Sequence, residues 1–257
     1  LASAGDGELV LVRRPVRVAT AKDYLFIHDA HTGVQEFESP TTHGPLWPVA
    51  AGDVDGDGKR ELVSTSRRRD SFIGDGAVTV YDGRTYESEW ESPDGYLSSF
   101  AGDAIHDIAL ADLDGDGAQE ILLGCDSHVD AALHVIDGRT HALLHSWHYP
   151  DADYLTSIVV GDVTGDGDLE IVSTAIDGST YDYSETSLHV IDADSGVLEW
   201  SAALGGGYRN SPFGLGMANL DDDPAQEIVL LFNVMSVIDG LTGRVSFAAG
   251  IEFSAFT

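Results

Sequence analysis

An all-β ring of repeated four-stranded sheets is the fold this sequence predicts, on three observations. An acidic nine-residue loop occurs four times. A strand running into an Asp-centred turn occurs five times. An aromatic residue follows each of those turns, at Phe37, Trp90, Trp147, Trp200 and Phe247, with spacings of 53, 57, 53 and 47 residues. A period near fifty with four short strands per period marks a β-propeller. The reading is a five-bladed β-propeller of four-stranded blades in a single domain. Its blades fall at about 1–40 with 249–257, 41–93, 94–150, 151–202 and 203–248.

The acidic loop carries the chemistry. Its first copy is Asp53-Val54-Asp55-Gly56-Asp57-Gly58-Lys59-Arg60-Glu61, and the second runs from Asp112 to Glu120. The third runs from Asp162 to Glu170 with Thr164 at position 3. Oxygen side chains at positions 1, 3, 5 and 9 of a tight loop suit a hard cation that takes six to eight oxygens at about 2.3–2.6 Å. Glycines at positions 4 and 6 let the backbone fold back, so that a carbonyl at position 7 can join. Calcium is therefore expected on Asp53, Asp55, Asp57 and Glu61 with the Lys59 carbonyl. The second set is Asp112, Asp114, Asp116 and Glu120 with the Ala118 carbonyl, and the third is Asp162, Thr164, Asp166 and Glu170 with the Asp168 carbonyl. A fourth, worn copy offers Asn219, Asp221, Asp223, Ala225 and Glu227, but Asp222 and Pro224 replace its two glycines. Three calcium ions are expected, with a fourth site possible.

These loops are not EF-hands, because position 12 is Ser64, Leu123 and Ser173 where a bidentate Glu is needed. Their flanks read as strands. Ile108-Ala109-Leu110 and Ile158-Val159-Val160 precede two of them, and runs such as Glu120-Ile121-Leu122-Leu123 follow. Each unit is thus strand A, acidic loop, strand B, a connection, strand C, the Asp turn and strand D. The turns begin at Asp29, Asp82, Asp137, Asp192 and Asp239, three of them as Asp-Gly, which is a hairpin signal. The first blade lacks strand A, and residues 251–256 are expected to supply it and close the ring without a free sheet edge. The shortened Gly5-Asp6-Gly7-Glu8 segment lacks positions 1 and 3 and is expected to hold no calcium.

Composition narrows the partners. Forty-four acidic against 13 basic side chains argue against nonspecific nucleic-acid binding. Cys125 is the only cysteine, which rules out an intrachain disulfide and reads as a small packed residue. No apolar run approaches the roughly 18 residues that span a membrane. The chain begins at Leu1 without a signal peptide, as a processed form or excised domain would. Extracellular calcium modules typically bind at about 10⁻⁴–10⁻³ M, so a secreted, extracellular or cell-surface location is expected. Ten histidines show no His-Glu-x-x-His spacing, and His134 and His189 occupy equivalent C strands, where repeat positions report packing. No catalytic residue is assigned.

Two features point to a ligand on the face away from the acidic loops. Arg13, Arg14, Arg17 and Lys22 share one B–C connection, and Arg67, Arg68 and Arg69 share the next, so seven of thirteen cations fall in two loops. Among them Arg13, Arg17, Arg67, Arg68 and Arg69 suit an anionic partner. Aromatics gather in the longer loops of that face, and Trp47, Tyr96, Tyr154, Tyr181 and Tyr208 are the candidates for stacking on a sugar or gripping a protein.

Together these motifs resemble the FG-GAP or VCBS repeats, the propeller repeats of integrin α-subunits and many secreted bacterial proteins, over essentially the whole chain. The hairpin from Val190 to Trp200 also resembles the repeats of quinoprotein-like propellers. The first resemblance implies structural calcium and a ligand on the opposite face. The Glu at position 9 and the missing Phe-Gly and Gly-Ala-Pro phrases depart from the integrin pattern and count against an integrin-like ligand. The expectation is a secreted, calcium-stabilised binding or adhesion module for a glycan or an extracellular protein. The alternatives are a polysaccharide-active or quinoprotein-like enzyme domain, and a self-assembling extracellular structural subunit.

Overall fold

A computed structural model describes residues 8–13, 24–39, 46–67, 76–93, 96, 104–126, 131–149, 152–177, 185–205, 214–231 and 234–250 of the protein. The described residues form nineteen β-strands and no helix, so none is long and apolar enough to cross a membrane. They fall into two compact units, Leu1–His148 and Tyr149–Thr257.

The first unit opens with a three-stranded sheet of β1 (Glu8–Arg13), β2 (Tyr24–Asp29) and β3 (Gln35–Glu38). Next comes a four-stranded antiparallel sheet of β4 (Leu46–Gly52), β5 (Glu61–Arg67), β6 (Gly76–Asp82) and β7 (Ser88–Glu91). In the third sheet, β8 (Ala104–Ala111) pairs with β9 (Glu120–Asp126), β9 with β10 (Ala131–Ile136), and β10 with β11 (Leu143–Tyr149). The second unit repeats the motif twice. One sheet is β12 (Tyr154–Gly161), β13 (Glu170–Asp177), β14 (Glu185–Asp192) and β15 (Leu198–Gly205). The other is β16 (Gly214–Ala218), β17 (Glu227–Leu231), β18 (Val234–Ile238) and β19 (Val245–Gly250). Strand order follows chain order within these sheets, as the A–B–C–D reading requires.

Why the strands are continuous apolar runs is visible in the second sheet. Successive side chains of a strand point to opposite faces. Leu62 and Tyr81 pack with Leu25 and Ile27 of the first sheet, while their neighbours Val63 and Val80 pack with Ile121, Leu123 and Ile136 of the third. A sheet covered on both faces has no polar face to alternate with. All six residues of β10 are buried too, including His134. The second unit has its own core between its two sheets, built on Val172, Leu188, Val190, Ile228 and Ile238. Cys125 is fully buried in the core of the first unit.

The Asp turns connect C to D strands as expected, but with a different geometry. Each is closed by the backbone N–H of the fifth residue donating to the Asp carbonyl, as Tyr86 does to Asp82 and Gly243 to Asp239 at 2.8 Å. The Asp carboxylate accepts the N–H of the fourth residue, Thr32, Thr85, Thr140, Ser195 or Thr242. The left-handed residue is the fifth, so the glycine after Asp does not supply the positive φ of a two-residue hairpin turn. Its role is close packing: a Cβ at Gly138 would lie 2.1 Å from the Val54 carbonyl, and one at Gly240 would lie 2.2 Å from that of Val163.

At the fifth position three turns carry glycine, while Tyr86 and His141 adopt φ of 59° and 58°. Such conformations cost a non-glycine residue energy. Both rings pack on the D-strand aromatic of the preceding sheet, Tyr86 tilted against Phe37 with centroids 5.2 Å apart and His141 stacked on Trp90 at 4.2 Å. In the second unit, Trp200 instead covers the bare Gly243 and donates its indole N–H to the Gly240 carbonyl at 3.1 Å. The recurrent aromatic is thus a junction between successive sheets of a unit.

Candidate metal centre

All four acidic loops lie between an A and a B strand and share one scaffold. The closing glutamate is buried in each, and one oxygen accepts the N–H of loop position 2. Glu61 accepts from Val54 at 2.9 Å, Glu120 from Leu113 at 2.8 Å, Glu170 from Val163 at 2.8 Å and Glu227 from Leu220 at 2.5 Å. Glu170 also accepts the Thr164 N–H at 3.1 Å. Burial pushes Glu61 and Glu170 up to about 7 and Glu120 up to about 6, although these backbone donors pull the other way. A cation beside such a carboxylate would restore its charge.

Short-range hydrogen bonds aim the remaining carboxylates. The position-3 aspartate accepts the N–H of position 5, from Asp57, Asp116 and Asp223 in three loops, and the position-5 aspartate accepts that of position 7 in all four. The glycines at 56, 58, 115, 117, 165 and 167 all have positive φ, which accounts for their places at positions 4 and 6. Ligand oxygens of Asp53, Asp55 and Asp57 come within 4.8 Å of one another, as do those of Asp112, Asp114 and Glu120. The worn loop gathers Asp221, Asp223 and Glu227 equally closely despite Asp222 and Pro224. There Asn219 turns its amide N–H onto the Asp223 carbonyl at 2.5 Å.

Position 1 supplies a sharper observation. Asp53 and Asp162 each accept glycine N–H groups on both oxygens, from positions 4 and 6. Asp112 accepts only the Gly117 N–H at 3.1 Å, on Oδ2. Its Oδ1 is buried without a hydrogen-bond partner, in the group it forms with Asp114 and Glu120. A buried, unmatched carboxylate oxygen is costly unless something positive meets it. The donor set, all hard oxygen, fits a cation such as calcium.

Resident side-chain cations already lie on two position-5 carboxylates: Lys59 pairs with Asp57, and Arg139 with Asp116. The Lys59 ammonium holds Asp57 below the ordinary carboxylate range. A further carboxylate group, Asp192 and Glu199 with the Glu170 that closes the third loop, has no counterpart among the expected sites. Asp192 faces Glu170 across the β13–β14 register, and Glu61 faces Asp82 in the same way. That repeat of register was the available signal.

The residues expected to meet a ligand are placed less completely. Arg13 and Arg67 end β1 and β5, and Trp47 lies in β4. Arg17, Arg68, Arg69, Tyr181 and Tyr208 lie outside the described residues, as do Gly5–Gly7 and residues 251–256. Tyr154 is half-buried at the start of β12. Tyr96 packs edge-on against Trp90 at 5.5 Å and donates its hydroxyl to the His141 carbonyl, so it serves the junction between sheets. The histidines of the C strands are held locally. His134 Nδ1 meets Ser146 Oγ at 3.0 Å, and His189 Nε2 meets Ser187 Oγ at 2.7 Å.

Residues 112–173 match the family model of the FG-GAP-like repeat. No curated protein matches the sequence significantly. Among solved structures the chain is similar to the Dos1 propeller, with a TM-score of 0.63 at 12% identity over 91% of this chain and 56% of that one. It is also similar to a europium-containing methanol dehydrogenase, with a TM-score of 0.62 at 10% identity over 95% and 50%. The exotype rhamnogalacturonan lyase YesX gives a TM-score of 0.54 at 17% identity over 90% and 49%. The chain therefore spans about half the length of these structures, and at such identities the likeness concerns the fold alone. Residues 112–173, which hold two of the acidic loops and the four strands between them, are similar to an FG-GAP-like repeat, and the chain has the fold of β-propellers.

Proposed function

We propose that this protein is a calcium-stabilised β-propeller acting outside the cell as a binding or adhesion module for a glycan or a protein. Calcium binds in loops 53–61, 112–120 and 162–170, and the loop at 219–227 is a fourth candidate. The single observation that carries the reading is Asp112 Oδ1, buried without a donor among the carboxylates of Asp114 and Glu120. Oxygen-only donors on a flexible loop favour calcium over the smaller magnesium, which demands near-octahedral geometry. The reading includes five blades, with residues 251–256 as the missing strand beside β1, whose sheet has three strands where the others have four. The arginines at 13, 17 and 67–69 recognise an acidic group of the ligand.

Metal and ligand are tested separately. With free calcium about twentyfold above Kd, each filled site adds roughly 1.8 kcal/mol. Three sites then contribute about 5 kcal/mol, comparable to the net stability of a whole domain. Thermal melting in millimolar calcium, in magnesium and in chelator should show a large calcium-specific rise in midpoint. An unchanged midpoint in chelator would remove calcium from the account. Binding to an array of acidic polysaccharides, compared between wild type and Arg67→Glu/Arg68→Glu/Arg69→Glu, tests the ligand. Salt-sensitive binding lost in the triple variant supports it, and no binding by the wild type counts against it.

A further inference from the structure

Arg139 belongs to the Asp137 turn, yet its guanidinium serves two acidic loops. Nε donates to the Asp55 carbonyl at 2.8 Å, in loop 53–61. Nη2 donates to the Asp116 carbonyl at 3.1 Å and Nη1 to Asp116 Oδ2, both in loop 112–120. The seat is shaped for it, since a Cβ at Gly56 would lie 2.2 Å from Nη2. The two loops are also joined directly, by the Gln119 N–H donating to the Asp53 carbonyl at 2.8 Å.

We propose that Arg139 is a resident counter-cation shared by loops 53–61 and 112–120, and that its displacement makes them fill with divalent cation cooperatively. The proposal rests on the reading of these loops as cation sites. Asp116 Oδ1 accepts the Ala118 N–H at 2.8 Å, and Oδ2 is taken by Arg139. Asp116 therefore enters a metal shell freely only when the guanidinium withdraws. A guanidinium stays charged at any relevant pH, so it opposes a second cation in either loop. The first ion to bind does the work of moving it from both loops, and the second finds its loop already released. By linkage the effect is reciprocal between the two sites.

Loop 162–170 lacks this device. Asp166 accepts the Asp168 N–H, and among the described residues no ion pair reaches it. In the sheet that follows, the residue matching Arg139 is Leu241, which is 59% exposed. The space beside Gly165 is closed by Pro224 and the Ala225 backbone.

Calorimetric calcium titration of the full chain tests the proposal, with the other two loops silenced by Asp162→Asn, Asp166→Asn, Asp221→Asn and Asp223→Asn. With Arg139 in place, the isotherm should show two coupled sites and a Hill coefficient above one. Arg139→Met should bind the first ion about five- to tenfold tighter, a coupling of ordinary size, and lose the cooperativity. Arg139→Gln keeps a donor for the Asp55 carbonyl without the charge, and it should behave alike even if the Met variant folds poorly. Unchanged or weaker first-ion affinity in a folded variant would make Arg139 a strut and overturn the proposal. No calcium uptake by the chain carrying Arg139 would overturn both this and the cation reading beneath it.

Discussion

Two pairs of acidic loops, one in each unit, are built on the same frame and closed differently. In the first unit, loop 53–61 meets loop 112–120; in the second, loop 162–170 meets loop 219–227. The backbone link is conserved between the pairs in geometry: Gln119 N–H to the Asp53 carbonyl at 2.8 Å, and Gln226 N–H to the Asp162 carbonyl at 3.0 Å. Gly138 and Gly240 pack equivalently beneath Val54 and Val163. What differs is the filling. A guanidinium occupies the first junction, whereas proline and backbone close the second, where the Leu241 side chain lies open to solvent. The frame is therefore separable from the charge it carries, and a propeller repeat can change its electrostatics at one turn residue without disturbing its hydrogen bonds.

The largest test of the shared frame is loss of a closing glutamate. In Glu170→Ala the buried Val163 N–H and the half-buried Thr164 N–H lose their acceptor, while Glu61→Ala strands only the buried N–H of Val54. At 1–3 kcal/mol per abandoned donor, Glu170→Ala should cost about 3 kcal/mol and Glu61→Ala about half as much in denaturant unfolding. Equal losses would show that the two loops relax differently from their static geometry.

Next in size is the contrast between the C-strand histidines. His134 is fully buried in the first unit, and burial, aided by the nearby His148, pushes it down to about 4. His189 in the second unit is half-buried and is lowered by burial alone. A histidine with a depressed folded value contributes stability that is complete above its unfolded value near 6.5 and is lost as pH falls towards 4. His134→Gln should therefore remove on the order of 2 kcal/mol of the acid sensitivity between pH 6.5 and 4, and His189→Gln less. Unfolding free energies of the three proteins across that range would check it. An identical pH slope in wild type and His134→Gln would show that His134 is protonated without loss.

The smallest effect sharpens the junction itself. Gly56→Ala and Gly165→Ala share the strain of a positive φ, worth about 1 kcal/mol. The added methyl meets a movable Arg139 terminus in one case and the Ala225 backbone nitrogen, 2.8 Å away, in the other. Gly165→Ala should be the more destabilising by about 1 kcal/mol, because backbone cannot step aside as a side chain can. Chemical denaturation of both variants compares them directly, and the reverse order would mean that Arg139 is held as rigidly as backbone.

Much of this was legible beforehand. The loops announce themselves because position-specific oxygens and glycines serve a local geometry, and the structure draws Asp53, Asp55 and Asp57 together from neighbouring positions alone. The worn loop shows how robust that code is, since Asp221, Asp223 and Glu227 converge without either glycine. Arg139 was invisible as part of a site, because it reaches Asp55 across 84 positions of sequence. Tyr96 looked like a loop aromatic free for a ligand, and only the fold shows its ring against Trp90 and its hydroxyl on the Asp137 turn.

The sequence by itself determined the strand order, the period and the acidic loops, since these are encoded by contacts within one repeat, and it marked the aromatic that recurs on each D strand without showing what that ring meets. The tertiary structure alone decided what happens between repeats. It seats Tyr86 and His141 in left-handed conformations against the preceding aromatic, places Gly138 and Gly240 where any side chain would strike a neighbouring carbonyl, and leaves Asp112 Oδ1 buried without a donor. Contacts within a repeat join residues a few positions apart and leave a periodic trace. Contacts between repeats depend on the packing of one sheet on the next, which brings together residues that no local pattern connects.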